Sequence, residues 1–347
     1  MFINSRSLFL LLTLLCAAEA SGQQHAPPTQ PRAGRIFLDV VVTPKTGPPV
    51  GRLEQKDFTV LDNKIPQTIT SFQAVDGRNA VIEVFLLIDA VNSGYQVVAY
   101  ERDEINKFLR AEGGQLAHPT ALAVLTDTGT QLQQGFSTDG NTLSASLDQY
   151  TVSLRNVRPN AGFWGAAERF QYSLDALREL GAREASVPGR KIILCISPGW
   201  PLLSGPNVEI DEKQQQQLFA DIVGLSTQFR QARITLYSID PLGTADAASS
   251  RIFYWQNFLK GVSKPSQVQP GDLGLEVLAT QTGGVALSSS NDIAALLRKC
   301  LSDTSSYYEL SFDPLRGDRT DEYHELRIRM TQPGLTARTR QAYYSQP

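Results

Sequence analysis

The 347-residue chain is 41% hydrophobic and sets 32 basic against 35 acidic side chains, a formal net charge of -3. That length exceeds one average domain and the apolar share suffices for a packed core. So even a balance, with no basic stripe, argues against nucleic acid or an anionic membrane surface as partner.

Residues 1–20 have the pattern of a secretory signal peptide: Arg6 gives a positive start, Leu8 to Ala18 an apolar core, and Ala18-Glu19-Ala20 a small-x-small cleavage site. The expectation is cleavage after Ala20 and a secreted or periplasmic chain. About eleven apolar residues are too few to span a ~30 Å hydrocarbon layer, so no transmembrane segment is expected in the mature chain. Residues 21–34, rich in Gln, Pro and Gly without periodicity, form a flexible leader. Past the signal only Cys195 and Cys300 remain, one in an apolar run and one on an amphipathic helix. Both read as buried thiols rather than a disulfide framework or redox pair.

Residues 35–75 form an N-terminal β segment. Ile36–Thr43 is a strand, and Asp57–Leu61 with Ile65–Phe72 makes a hairpin across Asp62-Asn63-Lys64. Such a piece is too small to hold a core alone. From residue 80 to 304 strands alternate with helices. Strands are expected at Val81–Asp89, Ala121–Thr126, Gln131–Phe136, Lys191–Ser197, Arg233–Asp240 and Val285–Ser288. Helices are expected at Val97–Ala111, Asn141–Thr151, Ala166–Leu180, Glu209–Gln231, Leu273–Thr282 and Asp292–Thr304. Residues 305–347 return to β with Ser306–Phe312, Tyr323–Met330 and Thr336–Tyr344, and this segment should pack with residues 35–75 as a small β-sandwich.

The stretch from Ala80 to Tyr95 carries the most information. Val84 to Ile88 is apolar on both faces, which suits a central strand between helix layers, and it delivers Asp89 and then Ser93 to its carboxyl end. Ligands of open α/β sheets sit where strands end.

A strand ending in Asp, a hairpin after the next strand and further strand–helix units resemble the von Willebrand factor type A fold. Leu53-Glu-Gln-Lys-Asp57-Phe58-Thr-Val, Asp62-Asn-Lys-Ile-Pro66-Gln67, Ile196-Ser-Pro-Gly-Trp200, Ser238-Ile-Asp240-Pro241 and Arg338-Thr-Arg-Gln-Ala-Tyr343-Tyr344 resemble secreted bacterial proteins related to that domain. The resemblance implies a Rossmann-like central sheet flanked by helices. It also implies a metal-ion-dependent adhesion site of the form Asp-x-Ser-x-Ser, with a Thr and an Asp on later loops. Asp89 and Ser93 match. Val91 stands at the middle serine, Asn160 to Gly165 offers no Thr, and Pro198 falls at the later Asp. Mg²⁺ needs near-octahedral oxygen ligation, so the site is expected to be degenerate and without cofactor, with Asp89 and Ser93 as weak metal candidates. With no cation, Asp89 should accept hydrogen bonds from Ser93 or loop amides.

Asp89, Val91, Asn92, Ser93, Phe163, Trp164, Trp200 and Pro201 are the candidate binding surface. Aromatic side chains on loops over a rigid sheet are frequent anchors of protein contacts, although Trp164 and Trp200 could equally pack as core. Enzymatic chemistry is not expected. Of the three histidines, His25 is in the leader, His324 in the terminal hairpin and His118 on a surface loop, and no nucleophile elbow, phosphate loop or zinc motif occurs. The reading is a non-enzymatic protein–protein interaction module with a protein partner. The alternative is a metal-dependent (Mg²⁺) adhesion or hydrolytic protein using Asp89, Ser93, Asp240 and Asp127.

Export has a direct check: the intact mass of protein recovered from periplasm or medium should place its first residue near Ser21. A membrane-bound product retaining Met1 would refute it.

Overall fold

The computed structural model describes residues 34–150, 162–201, 209–243, 254–314 and 319–345. The expected signal and leader up to residue 33 lie outside them. Among the described residues no helix is long and apolar enough to cross a membrane.

The chain opens with β1 (Ile36–Pro44), β2 (Phe58–Asp62), β3 (Ile65–Gln67) and β4 (Ile69–Asp76). An α/β series follows: β5 (Ile82–Asp89), α1 (Tyr95–Leu109), β6 (Gln115–Thr126), β7 (Gly129–Leu132), β8 (Ser137–Asp139), α2 (Gly140–Tyr150) and α3 (Gly162–Glu184). It continues through β9 (Arg190–Ile196), α4 (Glu212–Gln231), β10 (Ile234–Ile239), α5 (Leu275–Gln281), β11 (Ala286–Leu287) and α6 (Ile293–Ser302). β12 (Ser306–Phe312), β13 (Tyr323–Met330), β14 (Leu335–Arg338) and β15 (Ala342–Tyr344) close the chain.

The central sheet runs β11-β10-β9-β5-β6-β7, parallel from β11 to β6 and antiparallel at β7, with β8 also pairing β6. Alternation along β5 explains the two helix layers. Val84, Leu86 and Ile88 pack with Ile105 of α1, Leu143 of α2 and Leu297 of α6, while Phe85 and Leu87 pack with Leu177 of α3, Phe229 of α4 and Leu278 of α5. This is a mixed α/β architecture, a parallel-containing sheet flanked by helices with two antiparallel sheets beside it. Cys195 and Cys300 are buried free thiols.

Those antiparallel sheets, β14-β1-β12-β4 and β15-β13-β2-β3, draw strands from both ends of the chain. Val40, Val60, Tyr308, Phe312, Leu326 and Tyr343 fill the space between them. Two sequence expectations change here for one reason. Ile65–Phe72 is two strands, because β3 pairs β2 whereas β4 pairs β12 in the other sheet. Likewise Thr336–Tyr344 divides into β14 on β1 and β15 on β13. Both segments turn a corner from one sheet to the other. Pro66, lacking an N–H, is tolerated because β3 is an edge strand. His118 also differs from expectation. β6 begins at Gln115, so the imidazole is inside, 7% exposed, with Nε2 at 2.7 Å from Thr304 Oγ1.

The outer face of the β1–β12 pair meets the amino ends of β9 and β10. Asp39 and Glu309 are direct cross-strand neighbours there, an arrangement in which like charges repel. Arg233, just before β10, forks between them, donating to Asp39 and at 2.6 Å to Glu309. Against the desolvation that burial imposes, these two carboxylates hold the guanidinium charged. Arg233 does this from a left-handed backbone (φ 54°) at the end of α4, a position that favours glycine. Arg233→Met should therefore lower stability by about 2–3 kcal/mol in urea at neutral pH, below the value for a fully buried pair because the groups are partly exposed. Arg233→Gly, despite relieving the backbone, should lose nearly as much; a loss under ~1 kcal/mol for both would remove the fork from the account.

Candidate functional site

The carboxyl ends of β5, β9 and β10 and the amino ends of α1 and α3 form one face of the α/β unit. Asp89 lies at its centre, fully buried at the end of β5. Its Oδ1 accepts from the amides of Val91 (3.1 Å) and Asn92 (3.0 Å). Its Oδ2 accepts from Asn92 Nδ2 at 2.8 Å and Ser197 Oγ at 2.7 Å. Both oxygens are thus occupied by donors of the chain itself. Burial raises the Asp89 pKa, and the bonds from Asn92 and Ser197 oppose that rise.

The network extends outward from there. Asn92 Nδ2 reaches Ser173 Oγ on α3 at 2.9 Å, and Ser173 donates back to the Arg169 carbonyl at 2.8 Å. Ser197 Oγ accepts from Gly199 N at 3.1 Å. Ser93 takes a different partner from the one expected. Its hydroxyl donates to Glu101 Oε1 at 2.9 Å, not to Asp89, so only the loop-amide half of that expectation describes Asp89.

Glu101 is fully buried on α1, one turn from Val98 and Ile105, and its Oε2 has no hydrogen-bond partner. Burial pushes its pKa well above the ordinary glutamate value, Ser93 works against the shift, and Asp89 and Asp240 add to it. Asp240 stays at the surface side of β10, where its Oδ1 accepts from Leu242 N at 2.9 Å and closes a turn.

The other candidates separate. Val91 and Trp200 are 2% and 1% exposed and share one core cluster with Leu87 and Phe170. Trp200 meets Phe170 edge-on at 6.3 Å between centroids. Neither presents surface, which corrects their place in the expected binding face. Gly199, at φ 86°, supplies the left-handed turn that directs Trp200 inward. Trp164, in the first turn of α3, is 81% exposed, and Pro201 and Asn92 are half-buried. The Phe163 side chain and residues 160–161 lie outside the described part. On the same face Tyr95 is 68% exposed and Tyr100 38%. A groove of about 240 Å³ between α1 and the end of β10 is lined by Gln96, Val97, Tyr100, Pro241, Leu242 and Asn291.

Sequence reasoning missed Glu101, Ser173 and Ser197. Glu101 left one signal, a charged residue at an apolar position of the α1 stripe. Among the described residues, no cluster of three or more His, Cys, Asp or Glu is placed to hold a metal ion.

No protein-family description and no curated protein matches the chain. Among solved structures it is similar to human COPII-coat protein Sec24c, at 11% identity and a TM-score of 0.36 over 77% of this chain and 44% of that one. It is also similar to manganese-loaded Plasmodium vivax TRAP protein (11% identity, TM-score 0.33, 81% and 100% covered). A third is the pilus adhesin SpaC from Lactobacillus rhamnosus GG (9%, 0.38, 84% and 49%). The chain spans less than half the length of the Sec24c and SpaC chains. Such weak likeness carries no functional argument, and the topology above rests on this chain's own strand pairing.

The state of Glu101 sets a pH dependence. A raised carboxyl pKa in the folded chain means that it keeps a proton the unfolded chain releases, so stability is full below the ordinary glutamate value and falls as pH rises above it. Glu101→Gln should stabilise the protein by more than ~1 kcal/mol at pH 8 and hardly at all at pH 4. Equal effects at both pH values in chemical denaturation would show that Glu101 is not protonated in the fold.

Proposed function

We propose that this chain is a secreted or periplasmic, non-enzymatic protein–protein interaction module that binds its partner with the face at the carboxyl ends of its central strands, and that it does so without a divalent cation. The observation that carries the reading is the exposed indole of Trp164 on that face, with Tyr95 and Tyr100 also outside. Large aromatic side chains on a rigid support anchor a partner at small ordering cost.

Two features favour binding without metal. The Asp89 oxygens already accept four hydrogen bonds between them. The Ser93 hydroxyl is turned to Glu101. An adhesion-type ion would have to displace these donors and find further oxygen ligands where Val91 and Pro198 stand. The degenerate adhesion site then serves as structure, with Val91 and Pro198 standing at vacated ligand positions and Trp200 packed beneath them. A metal-dependent role for Asp89, Ser93 and Asp240 is the competing reading, and chelation separates the two.

The test is capture from cell-envelope extract with immobilised chain, in the presence and absence of a chelator. The partner should be retained under chelation. Trp164→Ala should weaken capture by ~2 kcal/mol or more, the scale of an interface hot spot, while moving the thermal midpoint by only a few degrees. Loss of capture on chelation would favour the metal reading, and undiminished capture by the variant would place the recognition surface elsewhere.

A further inference from the structure

Beside the Asp89 network, the strand-end face carries an open groove of about 240 Å³. Gln96, Val97 and Tyr100 of α1 form one wall, and Pro241, Leu242 and Asn291, from the end of β10 and the residue before the α6 cap, form the other. The Tyr100 hydroxyl donates to the Asn291 carbonyl and ties the two walls together. Val97, Leu242, Pro241 and the Tyr100 ring make its surface largely apolar. A groove of this size is smaller than the ~300–1,000 Å³ clefts that enclose a cofactor or a drug-sized ligand, and suits one extended side chain.

The charge around it is negative. Asp240 precedes Pro241 and Asp292 follows Asn291, so the second wall brings a carboxylate next to each of these lining residues. Asp292 is exposed, accepts from Ala295 N at 2.8 Å as the cap of α6, and enters no ion pair among the described residues. Burial raises the Tyr100 hydroxyl above its ordinary value, Glu104 and Asp292 add to the rise, and Lys107 opposes it. Lys107 is itself held by Glu104, and Arg102 lies 3.7 Å from Asp103, so these cations of α1 are paired along their own helix. The amino ends of α1 and α6 contribute about half a positive charge each, which two carboxylates outweigh.

An apolar surface with a negative rim matches a side chain that is apolar along its stem and cationic at its tip, with the head kept in water. A purely apolar side chain would fill the groove without meeting the carboxylates, and an acidic one would be repelled by them.

We propose that this groove receives a lysine or arginine side chain of the protein partner, its aliphatic stem against Val97, Leu242 and the Tyr100 ring and its cationic head at Asp240 and Asp292. The inference rests on the strand-end face being the binding surface, and it gives that surface a preference for a basic partner.

The test is amide NMR of the full chain titrated with the N-acetyl methylamides of lysine, arginine, norleucine and glutamate. Norleucine keeps the stem of lysine without its charge. Lysine and arginine should shift the amides of Val97, Tyr100 and Leu242 saturably, norleucine should bind about threefold or more weakly, and glutamate should not bind, as expected for ion pairs at an exposed rim. Asp240→Asn and Asp292→Asn remove the charges while keeping the turn acceptor and a good helix cap. With both substitutions in one chain, lysine should bind no better than norleucine. Equal binding of lysine and norleucine to the wild type, or a lysine preference that survives the double substitution, would overturn the inference. Capture of the partner separates it from the reading on which it rests, and both Trp164→Ala and the double substitution should weaken capture. Capture weakened by Trp164→Ala alone overturns the basic-partner inference and leaves the face standing, whereas capture unchanged by either overturns both.

Discussion

The structure depends on one strand pair, β1 and β12, being buried on both faces. β1 and β12 alternate with a period of two, and both faces of that alternation are claimed. Ile36, Leu38, Val40, Tyr308, Leu310 and Phe312 fill the space between the two antiparallel sheets, while Val41 and Tyr307 enter the core of the α/β unit. The first and last described strands are thereby joined to the α/β series, within the one compact unit that begins at Gly34. Asp39 and Glu309 belong to the second of these faces. Their cross-strand apposition is tolerable only because Arg233 reaches both, so packing and charge at this joint were solved together.

At the strand ends the same economy of polar groups governs the candidate site. Asp89 could not be left at the end of a buried strand without donors, and the chain provides them from its own loop, from Asn92 and from Ser197. Closing that network draws the β5 and β9 loops together and sends Val91 and Trp200 into the core behind them. At the rim of the face Trp164 and Tyr95 stand outside. The centre of the face is satisfied within the chain, and the rim is open to solvent.

Two buried groups run against this economy, and in opposite senses. Burial raises the Glu101 carboxyl well above its ordinary value, and the nearby Asp89 and Asp240 add to the rise. Burial pushes the Arg340 guanidinium down to about 9, yet a guanidinium so lowered stays protonated at neutral pH.

The sequence alone determined the order and type of nearly every element, because strands buried on two faces, amphipathic helices and turn residues each leave a local period. Ser306–Phe312 and Tyr323–Met330 coincide with β12 and β13 to the residue. It also placed Asp89 at a strand end. Tertiary structure decided the rest. Alternation continues unchanged when a strand crosses from one sheet to another, so the corners after Gln67 and Arg338 left no periodic mark. A charged residue suggests solvent until its helix is docked, which hid Glu101. Trp164 and Trp200 are the same residue type on neighbouring segments, and only the turn at Gly199 and the position of Phe170 bury one and expose the other. Local pattern records which face of an element is apolar; which element covers that face is a property of the assembled chain.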